Sequence, residues 1–536
     1  MDLKSIVKTP AFWISISLIV IAFIAPSPYN ILSITMSPIP ILLKYIIDLL
    51  RRRGVTVVID EDLLYLVTHM YSVSTGRPPH EKLFRLSNIS GKGYKEYSSI
   101  LNRIANLAKR WGYGFVVATR IQAKNVSNPI FRDFLTRLSE AINVGEDLEK
   151  FLLMEQQTMV VSYEADYARV LEATRILLGI YSASISSALF ININLILISI
   201  LFFGGITTIL VSFIGTVLAL AALVYLIRRS LPKQDIVHDM KINMPERKLY
   251  LYSLLASVII SSTVGILIIN IYRDPSYFLI GFGVFMIIPG IIGRRIENKV
   301  KNIESFFTVF IRSLGLAFTT LRNYAQSLRS ILRTDFGELT KPLQRLYSRL
   351  RNGVDRNIAM YFFIGETGSE TVRRGMDIFY DAVESGGDPT KVGEILSTTI
   401  QRIINLRKQR EQIARAFQGV IYILHILTVA LAEIVFTLVI LFQQLIQAMG
   451  TMPIQIIPMT YIDPNIIAIV KMMLVFIITI LNAFAIQFAR GGFTGSAWIH
   501  VSILLILSGA TMIVASMFSQ SLFKLFNIEE IFTPTS

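Results

Sequence analysis

Runs of apolar residues long enough to cross a bilayer recur along this chain, and no other feature limits its fold so strongly. A spanning helix needs ~20 mainly apolar residues, because ~30 Å of hydrocarbon offers an irregular backbone no hydrogen-bond partners. Seven segments meet that rule: Leu177–Phe203, Ile206–Ile227, Leu249–Ile271, Tyr277–Ile292, Gly419–Leu445, Ile466–Phe488 and Ala497–Phe518. Two more, Ala11–Ala25 and Ile31–Leu49, each short or interrupted by proline, flank the breaker PSPYN. Lys4 and Lys8 before a short apolar run resemble a secretory signal, but the second run and the stop at Arg51-Arg52-Arg53 favour a retained hairpin. The prediction is an all-α, polytopic helical membrane protein of the cell membrane with about nine transmembrane helices.

Charge sets the orientation. The formal net charge is +15, with 53% of residues hydrophobic and 17% charged. Lys and Arg outnumber Asp and Glu by 18 to 14 in residues 51–175, by 6 to 3 in 228–249 and by 21 to 13 in 294–417. Loops rich in Lys and Arg resist translocation, so all three segments are expected in the cytoplasm. Each touches a span, which favours this reading over nucleic-acid binding. The expected organisation is a membrane hairpin at 1–50, a cytoplasmic helical domain at 51–175, and four spans at 176–293 around the basic loop. A second cytoplasmic domain follows at 294–417, then three spans at 418–518 and an external tail at 519–536.

Most catalytic chemistry lacks its residues here. There is no cysteine, and the five histidines, His69, His80, His238, His425 and His500, have no metal-ligand spacing. No HExxH or GxxxxGK[ST] occurs, and GKGYKEY at Gly91 lacks the apolar strand that precedes a phosphate loop. The chain is expected to be no enzyme and to hold no cofactor or metal.

The two long polar segments repeat each other. Phe131, Leu135, Leu138 and Ile142 lie on one helical stripe, and Val372, Met376, Phe379 and Val383 reproduce the spacing 241 residues later. Gly145 breaks the first helix and Gly386-Gly387 the second, supplying the left-handed conformation of a helix end. Glu146 and Asp147, or Asp388, suit the positive start of the next helix. That helix opens with Leu148, Phe151 and Leu152 in one copy and Val392, Ile395 and Leu396 in the other. No proline lies between Pro129 and Pro232 or between Pro389 and Pro453. Each post-turn helix can therefore run into the bilayer as a rod of ~80 Å, about half of it outside the membrane. Two cytoplasmic helical-bundle domains are expected to be copies of one module.

Polar groups within the spans are the remaining candidates for chemistry. Glu433 sits mid-span, where an acid costs ~3 kcal/mol, and Lys471 lies in the next span. His425, Asn192, Asn194 and Asn482 add polar positions. Such groups serve either as an ion relay or as helix-to-helix hydrogen bonds, and the absence of glycine- or proline-broken midplane spans favours the second. Arg294-Arg295, at a membrane exit, suit topology and anionic lipid. Arg373, Arg374, Arg407, Lys408 and Arg410 form a candidate interface for a protein partner, on the expectation that the bundle keeps its charges outward.

FRDFLTRLSEAINVGEDLEKFLLMEQQ (Phe131–Gln157) and FYDAVESGGDPTKVGEIL (Phe379–Leu396) resemble the duplicated F domain of type II secretion and type IV pilus platform proteins. STGRPPHEKL (Ser74–Leu83) is similar to the opening of the first module. The extra spans resemble the archaeal branch, the platforms of the archaellum and of adhesive pili. The resemblance implies a non-enzymatic membrane platform that couples a cytoplasmic hexameric secretion ATPase to extraction and insertion of pilin or archaellin subunits. Membrane lipid as a partner, a homodimer and no nucleic acid are expected as well. The alternative from another class is a transporter or channel with cytoplasmic regulatory domains, in which Glu433 and Lys471 form the ion path.

Overall fold

The computed structural model describes residues 60–201, 205–232, 234–240, 242, 244–272, 275–449 and 464–525. The expected hairpin at 1–50, the loop at 450–463 and the end of the tail lie outside the described residues. Among the described residues, seven helices are long and apolar enough to cross a membrane, and they overlie the seven strong segments of the sequence. The fold is all-α and polytopic.

The first helical group comprises α1 (Glu61–Ser74), α2 (His80–Phe84), α3 (Glu96–Lys109), α4 (Gly114–Lys124) and α5 (Pro129–Val144). It leads into α6 (Leu148–Leu201), followed by α7 (Gly205–Ser230), α8 (Pro245–Tyr272) and α9 (Pro275–Leu321). The second group comprises α10 (Tyr324–Ile331), α11 (Thr340–Arg351), α12 (Arg356–Thr367) and α13 (Glu370–Glu384). It leads into α14 (Pro389–Met449), and α15 (Pro464–Arg490) and α16 (Ala497–Leu525) complete the membrane part.

Local chemistry sets the ends of the repeated helices. Asn128 caps α5, its side chain accepting from the amides of Ile130 and Phe131, and Pro129 fills the first turn, where no amide proton is needed. Ser369 caps α13 by accepting from the Val372 amide. Gly145 (φ 75°) and Gly386 (φ 83°) end these helices in the left-handed region. Asp147 then accepts from the Glu149 amide, and Asp388 from those of Thr390 and Lys391, so each acid holds the first turn of a rod.

The two turns differ in their surroundings. A Cβ on Gly145 would meet nothing within 4 Å, whereas one on Gly387 would lie 2.8 Å from the Ala382 carbonyl oxygen and 2.9 Å from Thr75 Oγ1. The second turn is clamped by the end of α1, with the Asp388 amide donating to Thr75 Oγ1 at 2.9 Å. The first is open.

The rods α6 and α14 have 54 and 61 residues, or roughly 80 and 90 Å at ~1.5 Å per residue. Gln156 of α6 donates to Thr399 of α14 at 2.9 Å, and Tyr181 packs edge-on against Phe417. A third long helix was not anticipated. α9 is 47 residues long and carries a span directly into the second helical group. The Arg294-Arg295 pair that reads as a membrane exit contains no helix breaker, so the helix continues through it. Its membrane half packs closely on α16: a Cβ on Gly290 would lie 2.6 Å from the Ile499 amide nitrogen.

One hydrophobic core joins both helical groups. Phe131, Phe134 and Leu135 from the first belong to it with Phe363, Val372 and Phe379 from the second and Phe307 and Phe310 from α9. The membrane helices build another around Tyr181, Leu279, Ile421, Ile478 and Leu505. A short backbone clip links the two levels. In the segment between α7 and α8, the His238 amide donates to Gly368, and the Glu370 amide donates back to Ile236.

Candidate coupling site along the second rod

α14 starts at the interface of the two helical groups and ends in the membrane, and polar contacts line its course. At the top, α1 meets α13. His69 Nε2 donates to Asp381 Oδ2 at 3.0 Å, Tyr94 Oη lies 2.9 Å from the other ring nitrogen, and Lys82 Nζ reaches Asp381 Oδ1 at 2.6 Å. Burial opposes the charge on Asp381, but His69, Lys82 and the Ser87 amide outweigh it and hold the carboxyl down at about 2. Asp377 goes the other way. Burial raises it despite Arg373 and two hydrogen bonds from Ser90.

Arg373 is 5% exposed and pairs with Glu370 and with Asp377 at 3.1 Å, while also donating to Ser90 Oγ at 2.9 Å. Arg374 reaches Asp62 at 2.7 Å and lies over the Tyr65 ring. Burial works against ionisation of Asp62 and Glu370, yet both are lowered, mainly by these arginines, with Lys95 assisting at Asp62. Further along α14, Arg407 bridges Glu61 of α1 at 3.0 Å and Glu304 of α9 at 3.4 Å, and also bonds Thr371.

At the membrane boundary Arg410 spends all three nitrogens on backbone carbonyls: Ala489 at 2.9 Å, Phe488 at 2.7 Å and Pro232 at 2.9 Å. Next to it, Glu411 pairs with Lys301 at 2.9 Å and Arg490 at 3.4 Å. Arg490 and Lys301 both reach the fully buried Glu297, at 2.8 Å each. Helices α9, α14 and α15 are thus joined by one charge network.

Two contacts continue inside the membrane. Asn482 of α15 donates to His425 Nδ1 at 3.2 Å and accepts from Tyr181 of α6 at 2.7 Å, while Ser508 of α16 lies 2.8 Å from His425 Nε2. Lys471 donates to Glu433 at 2.6 Å and lies 3.8 Å from the centre of the Phe436 ring. Asn192 and Asn194 stand apart from this column. Asn192 bonds Thr216 of α7, and Asn194 bonds the carbonyl of Phe190 in its own helix.

The arginines read as a partner-facing surface need correction. Arg373, Arg374, Arg407 and Arg410 are turned into the protein and engaged there, because the two helical groups pack on each other and enclose charges that a lone bundle would expose. Lys408 alone of the five is exposed. Their carboxylate partners Glu61, Asp62 and Glu304 escaped sequence reasoning, as did Glu297, His69 and Asp381. No local motif connects residues that meet across hundreds of positions.

This architecture has relatives. A family model described as type II secretion system (T2SS), protein F, matches residues 310–441, which run from the second half of α9 through the repeated turn into the membrane part of α14. A flagella accessory protein J of Methanocaldococcus jannaschii is 27% identical over 376 residues, covering 68% of this chain and 67% of the relative. One from Methanococcus voltae is 25% identical over 377 residues, with the same coverage. No solved structure shows a significant match. Two groups of helices with a Gly-acidic turn before a long membrane-bound helix, together with these similarities, make the chain similar to the type II secretion F-domain proteins over its second helical group, and to the flagella accessory proteins J over two thirds of its length.

Proposed function

We propose that the chain couples a cytoplasmic hexameric secretion ATPase to extraction and insertion of pilin-like subunits, and is itself no enzyme. The observation that carries this reading is the continuity of α14, which runs as one helix from the Asp388 turn to Met449 and bears polar contacts at every level. A displacement of the helical groups acts on the membrane helices through a rigid lever, because an unbroken helix transmits rotation or translation along its axis. We place both helical groups in the cytoplasm on their excess of Lys and Arg, as domains spanning 51–175 and 294–417. The Gly145 and Gly386-Gly387 turns serve as the hinges where each group meets its rod. A homodimeric assembly and the membrane lipid belong to the same proposal.

The buried pair of Glu433 and Lys471 is compensated within the protein, which suits a helix-to-helix strut better than an ion path. A proline at exposed Gln409 tests the lever. It removes one backbone hydrogen bond and costs ~3 kcal/mol or more. The expected result is a protein that still reaches the membrane and still copurifies with the ATPase but builds no filaments, with Gln409→Ala behaving as wild type. Wild-type filaments from Gln409→Pro, or membranes in which the intact chain never retains the ATPase, would contradict the proposal.

A further inference from the structure

Beside the Arg410 clamp lies a cavity of about 500 Å³, lined by Arg228 and Arg229 of α7, Arg247 of α8, Arg410, Phe488 and Gly492. Among the described residues, four arginines and one carboxylate, Asp235, line it. Its level is fixed by the spans. Arg228 and Arg229 follow the apolar run Ile206–Ile227 directly, and Phe488 closes the run Ile466–Phe488. The cavity therefore lies at the depth of lipid phosphates, on the side from which the helical groups project.

Arg247 pairs with Asp239 at 3.3 Å, but Arg228 and Arg229 differ from the other basic residues at that depth. Arg175 and Arg415 each pair with a glutamate one turn away, Glu172 at 3.0 Å and Glu411 at 3.2 Å. Arg228 and Arg229 have no carboxylate partner among the described residues. Arg228 lies over the Phe488 ring at 5.1 Å, and Arg229 donates to Tyr225 Oη at 3.3 Å. Arg410 is 3% exposed and spends its donors on carbonyls, so its charge is uncompensated too. A concave site with excess positive charge, between membrane helices and at headgroup depth, suits an anion that also has an apolar tail.

We propose that this cavity binds the phosphate headgroup of an anionic lipid from the adjacent leaflet. Arg228 and Arg229 contact the phosphate, and Arg410 acts as a positioning residue that ties the end of α15 to Pro232 and so shapes the wall. The proposal rests on the depth and charge of the cavity and is independent of the filament reading.

The test uses the full chain in detergent, with phosphatidylglycerol, phosphatidylcholine, glycerol phosphate and inorganic phosphate as probes. Native mass spectrometry counts retained lipid, and thermal unfolding reports stabilisation. The wild type is expected to retain phosphatidylglycerol in preference to phosphatidylcholine. Arg228→Gln/Arg229→Gln should bind it about tenfold or more weakly, with unfolding in phosphatidylcholine unchanged. Arg175→Gln/Arg415→Gln, which removes the same charge from exposed positions that are paired with glutamates, should retain the preference. Undiminished binding by the first variant, equal loss in the second, or absence of any preference in the wild type overturns the site. Equal stabilisation by glycerol phosphate or inorganic phosphate overturns the lipid as its occupant.

Discussion

His69 and Asp381 are separated by 312 positions, yet the histidine ring donates to the carboxylate at 3.0 Å with both side chains buried. The contact fastens α1 of the first helical group to the repeated helix α13 of the second. Asp381→Ala leaves His69 and Lys82 facing an empty acceptor, and breaking a buried pair on one side costs ~3–5 kcal/mol. Chemical unfolding of the purified protein should show a loss of that order. In a double-mutant cycle with His69→Ala, the two losses should fall short of additivity by ~1 kcal/mol or more, whereas additivity within ~0.5 kcal/mol would mean the residues are not coupled.

The same carboxylate makes stability depend on pH. Asp381 titrates at about 2 in the fold against ~3.9 in an unfolded chain. Its contribution is fully present above pH ~4 and is lost as pH falls towards 2, on the order of 2 kcal/mol. Asp62 and Glu370 are also lowered and act in the same direction, whereas Asp377 is raised by burial and partly offsets them. Unfolding midpoints measured from pH 6 to 2.5 should fall below pH ~4. Asp381→Asn should flatten that slope.

Arg407 joins α14 to both α1 and α9, using separate guanidinium nitrogens for Glu61 and Glu304. Lysine carries the charge without the fork, so Arg407→Lys should lower filament number several-fold. Arg407→Met strands the buried Glu304 and the half-buried Glu61, and its filaments should vanish. Quantitative electron microscopy of complemented cells, with protein levels matched by immunoblot, checks both. Wild-type filament numbers in Arg407→Met would separate this residue from coupling.

In the membrane, Glu433→Leu and Lys471→Leu should each destabilise the protein by ~3–5 kcal/mol, because each breaks a buried ion pair on one side. The double variant removes both charges and should recover most of that stability and its filaments. If Glu433 and Lys471 instead form an ion path, the double variant fails in filament formation as completely as the single ones. Counting filaments in all three strains decides the matter.

The membrane helices were legible in the sequence because bilayer thickness sets a length that apolar runs must meet. The repeated turn was legible because Gly145 and Gly386-Gly387 interrupt matched helical stripes. Two features were hidden for physical reasons. Arg294-Arg295 reads as the end of a span, yet arginine is a good helix former, and α9 runs through both. Arg374, Arg407 and Arg410 read as outward charge because their partners, Asp62, Glu61, Glu304 and the carbonyls at the end of α15, come from distant parts of the chain. Arg373 has local partners in Glu370 and Asp377 but also meets the distant Ser90. Helical period reports which side of a helix is apolar. It carries no information about which distant acid meets a basic side.

The platform reading is tested most directly by counting filaments in cells that lack this chain while the filament subunits still reach the membrane. The account predicts no filaments, with subunits accumulating in the membrane and filaments restored by the intact chain. Filaments of normal number and length in the deletion strain would contradict it.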